Sequence, residues 1–225
     1  MLDGRTSCAK GEKMNIKRSL DDTSIKLISI DSKSEKALLG FAGFGYTIEC
    51  PLLYYSSNIA FQYSIDYLGF DCNYPYNEQF KEKNEQQKEE YFKNDVELIC
   101  EYLNSKRYLK RIFIGKSMGT TIINRLIENN IIKEDDSLIF LTPGIEWNKI
   151  INNIRNVKNR ILIVGSKGDP LFIEYDYSVL KNNKNIEIME YETENHVMEI
   201  GNLQHDLNVL TRIMNRIEAF IKENV

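Results

Sequence analysis

Polar and apolar residues alternate over SIKLISI (24–30), the period of a half-buried strand. EKALLGFAG follows a short polar turn, and the two stretches predict an antiparallel hairpin feeding a central strand. GFAGFGYT (40–47) reads as a turn with glycine at 40, 43 and 45. CPLLYYSSNIAFQYS predicts a helix, with Pro51 in the first turn where its missing N–H costs nothing. IDYLGFD (65–71) predicts a strand, NYPYNEQ a loop, and 82–105 a long charged amphipathic helix. Within that helix KEKNEQQKEE is a solvated charged face.

From there short apolar runs alternate with helical patterns. RIFIG (111–115), SLIFLTPG (137–144), RILIVGSKGD (160–169) and NIEIMEY (185–191) predict strands. MGTTIINRLIENN (118–130), WNKIINNIRN, LFIEYDYSVLKN and the closing HDLNVLTRIMNRIEAFIKEN predict helices. Strands in steady alternation with helices imply an α/β domain with a parallel sheet covered on both faces. Continuous runs such as RIFI, LIFL and ILIV agree, because strands of such sheets are buried on both sides.

Residues 1–22 carry no such pattern and are expected to form a flexible N-terminal tail, with 23–225 a single domain. The tail lacks the apolar stretch of a secretory signal, and Met14 stands as an alternative start. No apolar run reaches membrane-spanning length. A net charge of −4, with lysine and arginine dispersed among acids, leaves no footprint for nucleic acid. Cys8, Cys50, Cys72 and Cys100 form no C-x-x-C pair, and no metal-ligand spacing links them to the histidines. Reduced thiols in a cytoplasmic protein, with neither metal nor cofactor, are expected. Mixed-charge helices suggest a monomer or weak homodimer acting on a small-molecule substrate, without nucleic acid or membrane.

IFIGKSMGTT (112–121) carries two signals. GKS is the ending of a phosphate loop, but G-x-x-x-x-G-K-S would need glycine where Lys110 stands. The intervening residues belong to a strand, so no phosphate cradle forms. G-K-S-M-G also fits G-x-S-x-G, in which a serine sits on a sharp turn between strand and helix. RIFI supplies the strand, MGTTIINRLI the helix, and Gly115 and Gly119 the space around Ser117.

A serine hydroxyl needs a base, and the base an orienting acid. Of the two histidines, His205 opens the last helix as a cap or a solvated side chain. His196 follows the last strand and belongs at the carboxyl edge of the sheet, where Ser117 also emerges. Asp169 follows RILIVGS at the same edge; Asp71 competes, and Asp176 falls within a helix. The chain order Ser117, Asp169, His196 favours Asp169. An oxyanion would find one backbone donor at Met118 and a second in GFAGFGYT.

These pieces together resemble the α/β-hydrolase superfamily, over roughly residues 24–223. GKSMG is similar to its nucleophile elbow, SKGDP to its acid loop, and ENHVME to its histidine loop. AGFGYT takes the place of the H-G-x-G oxyanion loop, which makes Phe44 the second oxyanion amide. Ala42 stands where many members carry histidine, and Lys116 departs from the usual elbow, either biasing the site toward anions or pointing away. The resemblance implies a mostly parallel sheet of about seven strands without a large cap domain. Its overall type is similar to small uncapped bacterial hydrolases of the dienelactone-hydrolase-like or carboxylesterase kind. Phe44, Tyr46, Tyr74, Tyr76 and Trp147 stand near the active edge, with Tyr46 and Trp147 as the pocket candidates. The implied activity is hydrolysis of a small ester or thioester by a Ser-His-Asp triad through an acyl-enzyme. The alternative is a non-catalytic member of the fold that binds a ligand or partner.

Overall fold

The computed structural model describes residues 11–144, 146–171, 177–180 and 182–225. The described strands are β1 (Glu12–Lys17), β2 (Ser24–Ile30), β3 (Lys36–Phe41), β4 (Asp66–Asp71), β5 (Lys110–Lys116), β6 (Ser137–Leu141), β7 (Arg160–Ser166) and β8 (Ile186–Tyr191). The helices are α1 (Pro51–Gln62), α2 (Glu78–Lys81), α3 (Glu85–Asn104), α4 (Met118–Glu128), α5 (Trp147–Ile154) and α6 (Leu203–Asn224). The strands form one sheet of eight in the order β1-β2-β4-β3-β5-β6-β7-β8. The β1–β2 and β2–β4 pairs are antiparallel, and every pair from β4 to β8 is parallel.

Alternation along each central strand divides the core. Leu39, Phe113, Phe140 and Ile163 face a cluster that takes Tyr91, Val96 and Ile99 from α3, Ile122 and Leu126 from α4, and Ile150 and Ile154 from α5. Leu38, Ile112, Ile114, Leu141 and Val164 face the other cluster, with Leu52 and Leu53 of α1 and Ile213, Ile217 and Phe220 of α6. The helices thus lie on both faces, as the apolar runs imply.

Three expectations change. The predicted hairpin does not form: β4 lies between β2 and β3, and the hairpin is β1–β2 instead. Adjacency in sequence suggests pairing, but β3 is claimed on both sides by the buried parallel strands β4 and β5. Part of the expected tail is the edge strand β1, whose side chains are nearly all exposed; its only alternating apolar residues are Met14 and Ile16, of which Ile16 packs on the core. Just after it, Arg18 is buried and donates from Nε and Nη2 to Asp95 of α3 at 2.7 and 2.8 Å, and from Nη2 to the Cys72 carbonyl at 2.7 Å. The expected helix 82–105 is α3 but starts at Glu85, because Asn84 caps it: its side chain accepts from the Gln87 N–H while Gln87 accepts from the Asn84 N–H. The expected helix LFIEYDYSVLKN falls largely outside the described residues, as does Asp176; Tyr177–Leu180 form one 3-10 turn.

The chain passes from β3 to β4 on one side and returns to β5 on the other. Loops after β3 and β5 therefore leave the carboxyl edge in opposite directions and open a crevice between them. Only residues 142–146 separate β6 from α5, which leaves no room there for a cap.

Candidate active site

Ser117 is the single residue between β5 and α4. Its φ of 52° and ψ of −114° lie where side chains are strained. The turn is held by its neighbours: the Ser117 N–H donates to Leu141 O at 2.9 Å, and Thr120 donates to Ser117 O from its N–H at 2.9 Å and its hydroxyl at 2.6 Å. The flanking glycines are required by close approach. A Cβ on Gly115 would lie 2.5 Å from Gly119 O, and one on Gly119 would lie 2.1 Å from Phe41 O.

His196 Nε2 is 2.7 Å from Ser117 Oγ, and His196 Nδ1 is 2.6 Å from Asp169 Oδ2. A carboxylate only accepts, so Nδ1 carries the proton and the Nε2 lone pair faces the hydroxyl. The Asp169 carboxyl is 0% exposed, and its other oxygen accepts from the Leu171 N–H at 2.9 Å. The acid and histidine loops pack tightly: a Cβ on Gly168 would lie 2.5 Å from the carbonyl carbon of Thr193. Asp71, the competing acid, closes its own turn by accepting from the Asn73 N–H at 2.8 Å.

His205 neither caps α6 nor stands free. Asn202 is the cap, and His205 Nε2 lies 2.9 Å from Oε1 of buried Glu194 in the histidine loop. Burial alone would raise the Glu194 pKa, but bonds from His205 and the Thr193 N–H hold it below the ordinary carboxylate range. This link ties the histidine loop to the first turn of α6.

Helix α4 begins at Met118, so its N–H points from a helix N-terminus beside Ser117. Across the crevice a Cβ on Gly43 would lie 3.3 Å from Ser117 Cβ, which fixes how closely the loop after β3 approaches. The Ala42 N–H donates to Phe70 O and the Gly43 N–H to Tyr46 O, leaving Phe44 as the next amide of that loop. Tyr46 is half-buried there, its hydroxyl accepting from the Leu52 N–H at 2.9 Å.

Trp147 does not line the crevice. It is fully buried at the start of α5, with its ring edge-on to Phe140. Tyr74 is likewise buried, against Phe80, whereas Tyr76 is exposed. A cavity of about 670 Å³ lined by Arg155, Val157, Asn183 and Lys184 opens at the amino edge of the sheet, opposite the serine. Among the described residues no cluster of histidine, cysteine, aspartate or glutamate is arranged to hold a metal ion.

Lys116 points away from the crevice, the second of its two expected readings. It is 1% exposed, and its Nζ donates to the His196 main-chain carbonyl at 2.8 Å, so it faces no substrate. Burial pushes its pKa down to about 7, against the opposing pull of Asp169. The period of β5 carried this signal: Ile112, Ile114 and Lys116 share one face, and both isoleucines are core.

No protein-family model matches the chain. No curated protein matches it either. Solved structures do. Est1E from Butyrivibrio proteoclasticus, also solved with ferulic acid bound, is 14% identical, with TM-score 0.63 over 95% of this chain and 98% of that one. An esterase of Pyrococcus furiosus is 15% identical, with TM-score 0.65 over 95% and 92%. An alpha-beta serine hydrolase homologue from Coxiella burnetii is 11% identical, with TM-score 0.63 over 91% and 96%. Such breadth, with the eight-stranded sheet and its crossing point, establishes that this chain has the α/β-hydrolase fold.

Proposed function

We propose that the protein is a serine hydrolase that cleaves a small carboxylic ester or thioester through an acyl-enzyme. The observation that carries this is the continuous chain from Ser117 Oγ through His196 to buried Asp169, at 2.7 and 2.6 Å. Ser117 Oγ attacks the carbonyl carbon as Nε2 takes its proton, and Asp169 stabilises the imidazolium. The amides of Met118 and Phe44 receive the oxyanion, where fixed donors act most strongly on developing charge. His196 returns the proton to the leaving alcohol or thiol, then activates water to release the acid. Phe44 and Tyr46 flank the acyl group. The esterases among the structural neighbours support this reading.

A fluorophosphonate probe on the wild type, Ser117→Ala and His196→Ala, with the adduct located by mass spectrometry, tests it. The adduct should sit on Ser117, vanish in Ser117→Ala, and form at least ~10³-fold more slowly in His196→Ala. Full esterase activity in Ser117→Ala would end the mechanism. No adduct on folded wild type would favour a ligand- or partner-binding role for the fold.

A further inference from the structure

A lysine amine inside a core is costly unless a specific contact returns something, since an apolar side chain of similar length would fill the space. Lys116 sits on the core-facing side of β5, yet ends on a single hydrogen bond to His196 O at 2.8 Å. The segments packed around that amine each carry part of the site. The ring of Tyr46, from the loop after β3, lies 5.1 Å from Nζ. Asp169 of the acid loop and Cys50 at the start of α1 are the titratable groups that act on its charge. Glu199 of the histidine loop acts on Tyr46 in turn.

We propose that Lys116 is a positioning residue for the base: Lys116 and Ser117, neighbours in sequence, hold His196 at two points, the amine on its main-chain carbonyl and the serine on its imidazole. Asp169 and Ser117 hold the ring, but neither fixes the main chain that carries it. Two bonds from one rigid strand end fix both the backbone and the ring relative to the nucleophile. A misplacement of about 1 Å at a reacting group can cost on the order of 10²-fold in rate. The amine also carries charge near the acid.

This inference deepens the hydrolase reading and rests on it, so the test separates the two. The chain has two histidines, and ¹⁵N-histidine labelling with His205→Gln as the assignment variant isolates the His196 imidazole. The wild type is compared with Lys116→Met, which removes donor and charge, and Lys116→Gln, which keeps a shorter N–H donor without charge. Each is first checked for cooperative melting. With p-nitrophenyl acetate, Lys116→Met should lose at least ~10-fold in kcat with KM unchanged within about twofold, and Lys116→Gln should recover part of the loss. The His196 ring resonances should move or broaden in Lys116→Met, because the bond to its main-chain carbonyl is gone. Wild-type kcat in folded Lys116→Met would overturn the proposal. If the wild type neither hydrolyses ester nor takes up fluorophosphonate, the hydrolase reading falls. The clamp then stands or falls on the ring resonances, and an unmoved imidazole in folded Lys116→Met overturns it. Should Lys116→Met fail to fold, Lys116→Leu, which also lacks a donor, carries the same test: unmoved imidazole resonances and wild-type kcat refute it.

Discussion

Gly119→Ala is the smallest change the site should not tolerate. The new Cβ would stand 2.1 Å from Phe41 O, 2.8 Å from Phe41 C and 2.9 Å from Ala42 O. Even a weakly attractive carbon–oxygen contact sits at about 3.3–3.6 Å, so α4 and the end of β3 must part by more than about 1 Å. All three atoms are backbone, and no rotamer relieves them. Overpacking of a well-filled core costs about 1–3 kcal/mol, and a backbone clash belongs at the upper end. For a chain of this size each kcal/mol lowers Tm by about 2–4 °C, so a fall of about 6–12 °C is expected. The displaced segment runs directly into the loop at Gly43 and Phe44 beside Ser117, so the fluorophosphonate reaction should slow as well. Calorimetry on the two proteins, followed by probe labelling well below both transitions, measures each effect. A Tm within 1–2 °C of wild type would refute the packing argument. A normal labelling rate in a destabilised protein would break the link from β3 to the loop at Gly43 and Phe44.

Other outcomes follow from groups already described. Asp95→Ala leaves the Arg18 guanidinium buried without its partner and should cost about 3–5 kcal/mol in urea unfolding, with little effect on labelling; a loss below about 1 kcal/mol would mean that water replaces the carboxylate. The Lys116 amine, at about 7 in the fold against 10.5 for the free side chain, leaves the unfolded chain holding more protons between those values. Wild-type stability should therefore rise with pH across that window relative to Lys116→Met, by up to about 5 kcal/mol; a difference between the two proteins that is flat from pH 6 to 10 would show the amine is not desolvated. Ser117→Gly relieves the positive φ that Ser117→Ala retains, and should melt several degrees above it. Equal melting temperatures would show an unstrained elbow.

The meeting of Ser117, Asp169 and His196 was readable because each follows a strand of the buried parallel sheet, and continuous apolar runs mark those strands plainly. RIFIG, RILIVGS and NIEIMEY place Ser117, Asp169 and His196 at one edge without any knowledge of side-chain geometry. What the sequence concealed lies where local pattern and tertiary demand part. Strand β1 exposes nearly every side chain and alternates only through Met14 and Ile16, too short a run to announce a strand, and its anchor is Arg18, a residue type that seldom sits inside. Trp147 stands next to a loop in sequence, but the first turn of α5 faces Phe140 and takes it into the core. Lys116 is hidden by chemistry: charge suggested solvent, while strand period pointed inward. His205 could not be paired from sequence, because its partner Glu194 lies on a different segment and meets it only once the loop packs against Gly168.

The polar edge that disguised β1 has its own effect on how the molecule behaves among its copies. An outer strand offers a row of unclaimed backbone donors and acceptors on which another chain can align. Here that row is bordered by Glu12, Lys13 and Lys17, with Lys13 held to Glu49 at 3.1 Å. A copy approaching in register would bring like charges together and strip water from them before any ladder bond formed. The feature that makes β1 hard to recognise thus also guards the sheet against growing into the next molecule.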